Sequence, residues 1–374
     1  MDYFIKYSSN TYAASANQTY FSMKDNEART GRVFYKIAHG GNYGYSLLFS
    51  NTIDSTYADG SVSQCNMTCA AWEILEAKVG ICKEALPQGN EIKTRSNEIN
   101  RNAYGFIPLT FDGEKRKKVA PGEWFSCDAF QYEFEKGDYL CLEMTFSGKQ
   151  LPCHEESLLP IYTKSETGWT YCKKMPLANM VGCNRRISER IAFLGDSITQ
   201  GIGTPLNAYL HWNALLAESL GDGNACWNLG IGFGRARDLA TDGAWLYKAK
   251  QNDVVVVCYG VNDIIQGGNQ RQLIQDLDTI VDLLLSNKIK VILQTIPPFD
   301  YAGEKLAIWQ TANKHIKENL AEKVYGVFDV VPYLCQSEDC PQNVKYGLHP
   351  NAEGCRRWAR GLGQALAKMM DKKQ

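Results

Sequence analysis

From residue 191 onward, short apolar runs and helically periodic segments take turns along the chain, and that alternation leaves little freedom of fold. Residues 191–194, 225–228, 253–259, 290–295 and 325–330 read as strands. Residues 208–220, 235–248, 272–286, 303–320 and 352–370 carry apolar side chains at helical spacing. Strands joined through helices build βαβ units, so this part predicts a parallel sheet with helices on both faces.

The chain before it has another character. Segments 32–37, 45–49, 72–79, 106–111 and 139–146 are rich in Tyr, Phe, Val, Thr and Ile and are separated by Gly, Asn and Asp turns. No helix of convincing length interrupts them, so the pattern predicts an antiparallel, jelly-roll-like β-sandwich. At 374 residues the chain is too long for one ordinary domain. The polar stretch 184–190 marks the expected boundary, with a β-sandwich accessory domain over 1–185 and an α/β domain over 186–374.

Forty basic and 41 acidic residues leave a formal charge of −1. Such a balance supplies no field for nucleic acid or an anionic membrane. The first residues form no basic, apolar signal region and no apolar run is long enough to span a bilayer, so a cytoplasmic protein is expected. Thirteen cysteines are scattered with no Cys-x-x-Cys. Cys65 and Cys69, and Cys335 and Cys340, have no histidine beside them, so the expectation is free thiols and no metal.

The chemistry gathers at strand ends. The first strand of the α/β part runs into Gly195-Asp196-Ser197, which places a hydroxyl at the tip of a tight turn. The second runs into Asn228-Leu-Gly-Ile-Gly-Phe-Gly-Arg235, the third into Gly260-Val-Asn262-Asp263, and the fourth into Pro297-Pro298. Tyr346-Gly-Leu-His349-Pro350-Asn351 precedes the last helix. In a parallel sheet all of these lie at the carboxyl edge, where such folds hold ligands. Ser197 there is placed to attack a carbonyl carbon, with His349 taking its proton and returning it to the leaving alcohol. The oxyanion would be met by the amides of Ser197 and a turn glycine and by the Asn262 side chain, each donor worth about 3–4 kcal/mol of barrier.

This arrangement closely resembles the SGNH (GDSL-type) hydrolase family. Gly195-Asp196-Ser197 matches its first block, the glycine turn its second, Gly260-Val261-Asn262-Asp263 its third, and His349-Pro350 lies in its fifth, over roughly residues 188–374. The resemblance implies a flavodoxin-like sheet and serine ester hydrolysis with no metal or cofactor. The order of a β-sandwich followed by such a domain also resembles two-domain carbohydrate acetyl esterases.

The chain departs from the family pattern twice. The residue three before the histidine, usually Asp, is Tyr346, whose phenol cannot supply a carboxylate. Either Ser197 and His349 work as a dyad, with a backbone carbonyl holding the ring as in some members, or an acid comes from elsewhere, Glu338 and Asp339 being the candidates. The glycine usually found five residues after the asparagine is Phe233 here, between Gly232 and Gly234. Gly234 is taken as the oxyanion donor.

The other candidates have structural readings beside the functional ones. Asn262 and Asp263 could cap a helix, but within the set Asn262 reads as an oxyanion donor and Asp263 as structural. Of the remaining histidines, His211 and His315 read as surface residues, and His39 and His154 as structural. Arg235 and Arg237 read as solvated helix residues. The glycine turn lacks both the Gly-x-Gly-x-x-Gly spacing and a Walker lysine, which sets nucleotides aside. Trp72, Trp124 and Trp169 are placed in the β-sandwich as core, with sugar stacking as the alternative.

The sequence thus predicts a serine esterase removing short acyl groups, acetyl first, from a small-molecule or oligosaccharide ester. The alternatives are a lipid or thioester acylhydrolase, an acyltransferase, and an inactive carbohydrate-binding module.

Overall fold

The computed structural model describes residues 2–25, 27–55 and 65–371. Five parallel strands form the sheet of the C-terminal part: β1 (Glu189–Gly195), β2 (Asn224–Asn228), β3 (Val254–Cys258), β4 (Lys290–Gln294) and β5 (Gly326–Phe328). Their spatial order is β2-β1-β3-β4-β5, the flavodoxin-like order. Connections leave β1 and β3 in opposite directions across the sheet, so a crevice opens between the carboxyl ends of these two neighbours. Register puts Gly195 directly beside Cys258 there. Every residue of β3 is buried, as expected of a central parallel strand covered on both faces. Each such Val burial contributes roughly 1.5–3 kcal/mol.

Helices α1 (Ser197–Gln200), α2 (Trp212–Ser219), α3 (Ala236–Leu239), α4 (Ala244–Ala249), α5 (Val261–Ile265), α6 (Gln270–Leu285), α7 (Gly303–His315), α8 (Val331–Leu334) and α9 (Ala352–Asp371) connect and cover the strands. The amphipathic α6 buries Leu273, Leu277, Ile280, Val281 and Leu284, one stripe at helical spacing.

Three expected helices differ. The one expected over 208–220 is confined to α2, because Asn207 and Tyr209 before it take positive φ. The one expected over 235–248 is two, α3 and α4, because Asp242 at φ +54° turns the chain between them. The start of α4 is capped from the other half of the molecule, the Ala244 amide donating to Asn66 Oδ1 at 2.7 Å. The one expected over 303–320 continues past α7 as a π-turn, Ile316–Leu320.

The N-terminal part is built of antiparallel sheets. One contains Gly41–Ser50, Met180–Cys183, Ser8–Ser9, Trp124–Ser126 and Phe130–Phe134. The other follows the order Gly168–Tyr171, Ile161–Ser165, Ala28–Lys36, Tyr139–Gly148, Trp72–Cys82, Tyr104–Pro108, with Lys117–Val119 also on Trp72–Cys82. Alternate residues Tyr45, Leu47 and Phe49 of the first meet Val33, Tyr35, Leu140 and Leu142 of the second in a shared core. Two short helices, Glu91–Thr94 and Ser96–Arg101, interrupt the strands, which the sequence pattern did not indicate.

The two parts share buried surface. Leu48, Met180 and Phe4 pack in one cluster with Ile191 and Trp227 of the parallel sheet. Residues 10–18 are all buried, and the Tyr12 carbonyl accepts hydrogen bonds from His211 Nε2 and Asn228 Nδ2, each at 3.3 Å. Lys248 of α4 forms a fully buried ion pair with Asp54 of the N-terminal part.

Candidate active site

The turn after β1 is built by its sequence. Asp196 is the N-cap of α1, its carboxylate accepting from the Ile198 amide at 2.9 Å. α1 is one turn long and ends at Gly201, whose φ of +117° suits glycine. Ser197 is therefore the first residue of a helix, where a backbone N–H has no intrahelical acceptor. Among the described residues that amide makes no hydrogen bond.

His349 arrives from the loop before α9. Asn351 caps this helix, its Oδ1 accepting from the Glu353 and Gly354 amides at 3.0 and 3.1 Å, and its own amide donates to the Tyr346 carbonyl. Gly347 at φ +95° makes the turn that presents His349. The ring reaches Ser197, with Oγ and Nε2 2.8 Å apart. The Phe299 ring stands edge-on to it, 6.1 Å between centroids, on the segment that follows Pro297-Pro298.

No carboxylate supports the imidazole among the described residues. Glu338 and Asp339 are exposed and form no contact with His349, and Tyr346 packs instead against the Arg357 guanidinium. Burial alone holds the His349 pKa below the ordinary imidazole value. The ring is thus neutral at pH 7 and able to accept a proton at Nε2.

Asn262 comes from α5 at the end of β3 and is buried, its Nδ2 donating to the Gly234 carbonyl at 3.0 Å. A carboxamide has two N–H bonds, so one is left over. Gly260, at φ +124°, is the cap of α5, so Asn262 and Asp263 lie inside the helix and cap nothing there. Asp263 instead accepts from the Ala236 amide at 3.0 Å and anchors the start of α3. Burial pushes the Asp196 carboxyl up to about 7, with the charge of Asp263 adding, and pushes Asp263 up to about 6.

The glycine turn changes one assignment. The Gly234 amide donates to the Ile231 carbonyl at 3.1 Å, which closes a tight turn over 231–234 and leaves that N–H no hydrogen for a substrate. Phe233 sits at the third position of this turn with φ +61°, where glycine is the ordinary occupant. Its amide makes no hydrogen bond among the described residues. Phe233 occupies the family's glycine position, and the glycines on either side of it draw the sequence reading to Gly234 instead.

A buried polar network the sequence did not reveal fixes these turns to each other. Asn213 Nδ2 donates to the Thr199 carbonyl at 2.5 Å, Asn228 Nδ2 to Asn213 Oδ1 at 3.2 Å, and the Gly230 amide to Asn228 Oδ1 at 2.9 Å. Asn228-x-Gly230 is a local Asx turn, the one part of the network with a sequence signal.

Other residues lie elsewhere. His211 is buried on the Tyr12 carbonyl rather than at the surface, because residues 10–18 cover it. His315 is bound to Asp278 at 2.7 Å. His39 is bound to Asp222 and His154 is fully buried. Arg235 is not solvated, lying 3.5 Å from Asp238 and bonded to Gln266, while Arg237 is exposed. Trp72 is core and donates to Asn51 Oδ1 at 3.0 Å. Trp124 packs on Tyr247 at the junction of the two parts, and Trp169 under Arg32. Cys65 donates its S–H to the Asp238 carbonyl at 2.8 Å. No helix among the described residues is long and apolar enough to cross a membrane.

Known proteins share parts of this pattern. An acetylxylan esterase from Xylanibacter ruminicola is 26% identical over 214 residues, 47% of this chain and 43% of that protein. The chain therefore spans less than half the length of that curated relative. A family two carbohydrate esterase from Cellvibrio japonicus is similar over 98% of both chains, at 14% identity and a TM-score of 0.41. A carbohydrate acetylesterase family member from Sinorhizobium meliloti is similar over 49% of this chain and 100% of its own, at 18% identity and a TM-score of 0.38. Residues 193–357 match the model of the GDSL-like lipase/acylhydrolase family.

Proposed function

We propose that the protein is a serine esterase that removes short acyl groups, acetyl first, from carbohydrate esters, using Ser197 and His349 as a dyad. The 2.8 Å approach of Ser197 Oγ to His349 Nε2 at the switch point of the sheet carries the reading. The neutral imidazole takes the Oγ proton as Oγ bonds to the carbonyl carbon, and the carbonyl π electrons move to the oxygen. That oxyanion forms beside the Ser197 and Phe233 amides and the second N–H of Asn262, donors fixed before substrate arrives. Collapse breaks the ester C–O bond, and His349 returns the proton to the leaving alcohol. Water repeats the sequence on the acyl-serine, its proton passing through His349. With no carboxylate on the ring among the described residues, the imidazolium formed at each step is stabilised by the oxyanion charge beside it.

The preference for a carbohydrate rests on the acetylxylan esterase and carbohydrate esterase names of the similar proteins. No part of the proposed cycle uses a cofactor. Hydrolysis of p-nitrophenyl esters of increasing acyl length, beside acetylated xylo-oligosaccharides, tests the specificity. The expected result is a steep fall in kcat/KM beyond short acyl groups, with acetate released from the oligosaccharides. Highest kcat/KM on long acyl chains would replace this reading with a lipid acylhydrolase.

A further inference from the structure

The N-terminal part places a loop, residues 154–158, against two of the turns that form the site. Gln200, three residues past Ser197, donates its side-chain N–H to the Glu156 carbonyl at 2.5 Å. Leu158 lies 2.9 Å from where a Cβ on Gly201 would stand. The Glu156 carboxylate lies over the turn at 231–234. Its Oε2 would stand 1.9 Å from a Cβ on Gly232, so only glycine admits it there. Buried Gln18 holds this carboxylate in place, donating Nε2 to Glu156 Oε2 at 2.9 Å and to the Gly232 carbonyl at 3.5 Å, while its Oε1 accepts from the Glu156 amide.

The carboxylate itself is half-buried, and among the described residues no lysine or arginine forms an ion pair with it. Its Oε1 accepts no hydrogen bond among them. Burial raises its pKa from the ordinary carboxylate value. An anion one residue from an oxyanion-binding amide opposes the negative charge developing in ester hydrolysis. Holding a glutamate there therefore needs a compensating task, and a carboxylate with one open acceptor oxygen is suited to hydroxyl donors.

We propose that Glu156 is a substrate-binding residue that accepts hydroxyl hydrogen bonds from the polyol portion of the ester, and that the 154–158 loop is a wall of the cleft contributed by the N-terminal part. This rests on the esterase reading above and extends it to the substrate class. A polyol ester presents hydroxyl donors to Oε1 and an anionic ester is repelled. The alternative, a contact that only joins the two parts, gives no reason for discrimination between esters.

The test compares wild type, Glu156→Gln and Glu156→Ala on partially acetylated xylobiose and on p-nitrophenyl acetate, which has no hydroxyl to offer. Glu156→Gln keeps the side-chain shape, and circular dichroism together with turnover of p-nitrophenyl acetate reports whether each variant folds. The expected result is a fall of roughly tenfold or more in the ratio of kcat/KM for the sugar ester to that for p-nitrophenyl acetate, carried mainly by KM of the sugar ester. An unchanged ratio in an active enzyme, or equal losses on both substrates, overturns the role of Glu156 and leaves the esterase reading standing. A wild type that turns over p-nitrophenyl acetate and none of the sugar ester overturns it as well. A wild type inert on both substrates overturns the esterase reading and this inference with it.

Discussion

Replacing Lys248 with Met removes one charge of an ion pair that has no access to water. Both side chains are 0% exposed. Asp54 Oδ2 also accepts from the Asn17 amide at 2.7 Å, and Lys248 Nζ lies 5.1 Å from the centre of the Trp124 ring. Burial raises the Asp54 pKa and lowers that of Lys248, with the attraction between them opposing both shifts. Met fills much of the Lys volume, so the loss is mainly that of an uncompensated buried carboxylate, about 3–5 kcal/mol. Urea unfolding should show a midpoint lower by about 1–2 M for ordinary values of the slope. The sign of the pH dependence follows from the carboxylate left behind. In the variant its folded pKa lies above the unfolded one, so the native state binds the extra proton and stability is lost as pH rises from about 4 through the folded pKa. The deficit against wild type should therefore shrink toward pH 4. A midpoint within 0.3 M, roughly, of wild type at pH 8 would refute the reasoning. So would a Lys248→Met, Asp54→Asn double variant whose deficit equals the sum of the single ones, since a coupled pair cannot be additive.

Three further outcomes follow from the site. Because burial lowers the His349 pKa and the protonated ring cannot accept the Ser197 proton, the acid limb of kcat/KM should fall below pH 6.5, read from a pH–rate profile. A limb above 6.5 would point to a carboxylate partner. Asn262→Ala should lower kcat about 10²–10³-fold with little change in KM, whereas a purely structural Asn262 would lower kcat no more than its loss of stability explains. Gly230→Ala would place a Cβ 2.1 Å from the Gln200 backbone nitrogen, which has no room to yield, so it should destabilise by about 1–3 kcal/mol and lower kcat through displacement of α1. A fully active, equally stable variant would show that the turns are not fixed to each other.

How much of this the sequence reveals depends on whether a residue's task is local. Ser197 and His349 are each placed by a turn whose residues announce themselves, an Asp N-cap with a closing glycine and an Asn-capped helix preceded by Gly347. The parallel sheet is equally legible, because the short uninterrupted apolar run of β3 and the helical spacing of apolar residues in α6 are distinct patterns. What stays hidden comes from partners distant in the chain. His211 reads as a surface residue until the segment carrying Tyr12, 199 residues earlier, covers it. The long helix expected over 235–248 breaks where Asn66 of the other part caps α4. Glu156 and Gln18 have no motif at all; only the missing Cβ of Gly232 marks where their side chains come to rest. Phe233 stands where the family pattern has glycine, which directs the sequence reading to Gly234, yet the backbone takes φ +61° at Phe233 itself.

The central claim is that Ser197 is the nucleophile and His349 its base. Turnover of p-nitrophenyl acetate and labelling by a fluorophosphonate probe, measured on wild type, Ser197→Ala and His349→Ala, tests it most directly. The account predicts an active, labelled wild type, no label on Ser197→Ala, greatly slowed labelling of His349→Ala, and kcat lowered by several orders of magnitude in both variants. A Ser197→Ala variant that keeps its rate, or a folded wild type that neither turns over nor labels, would contradict it.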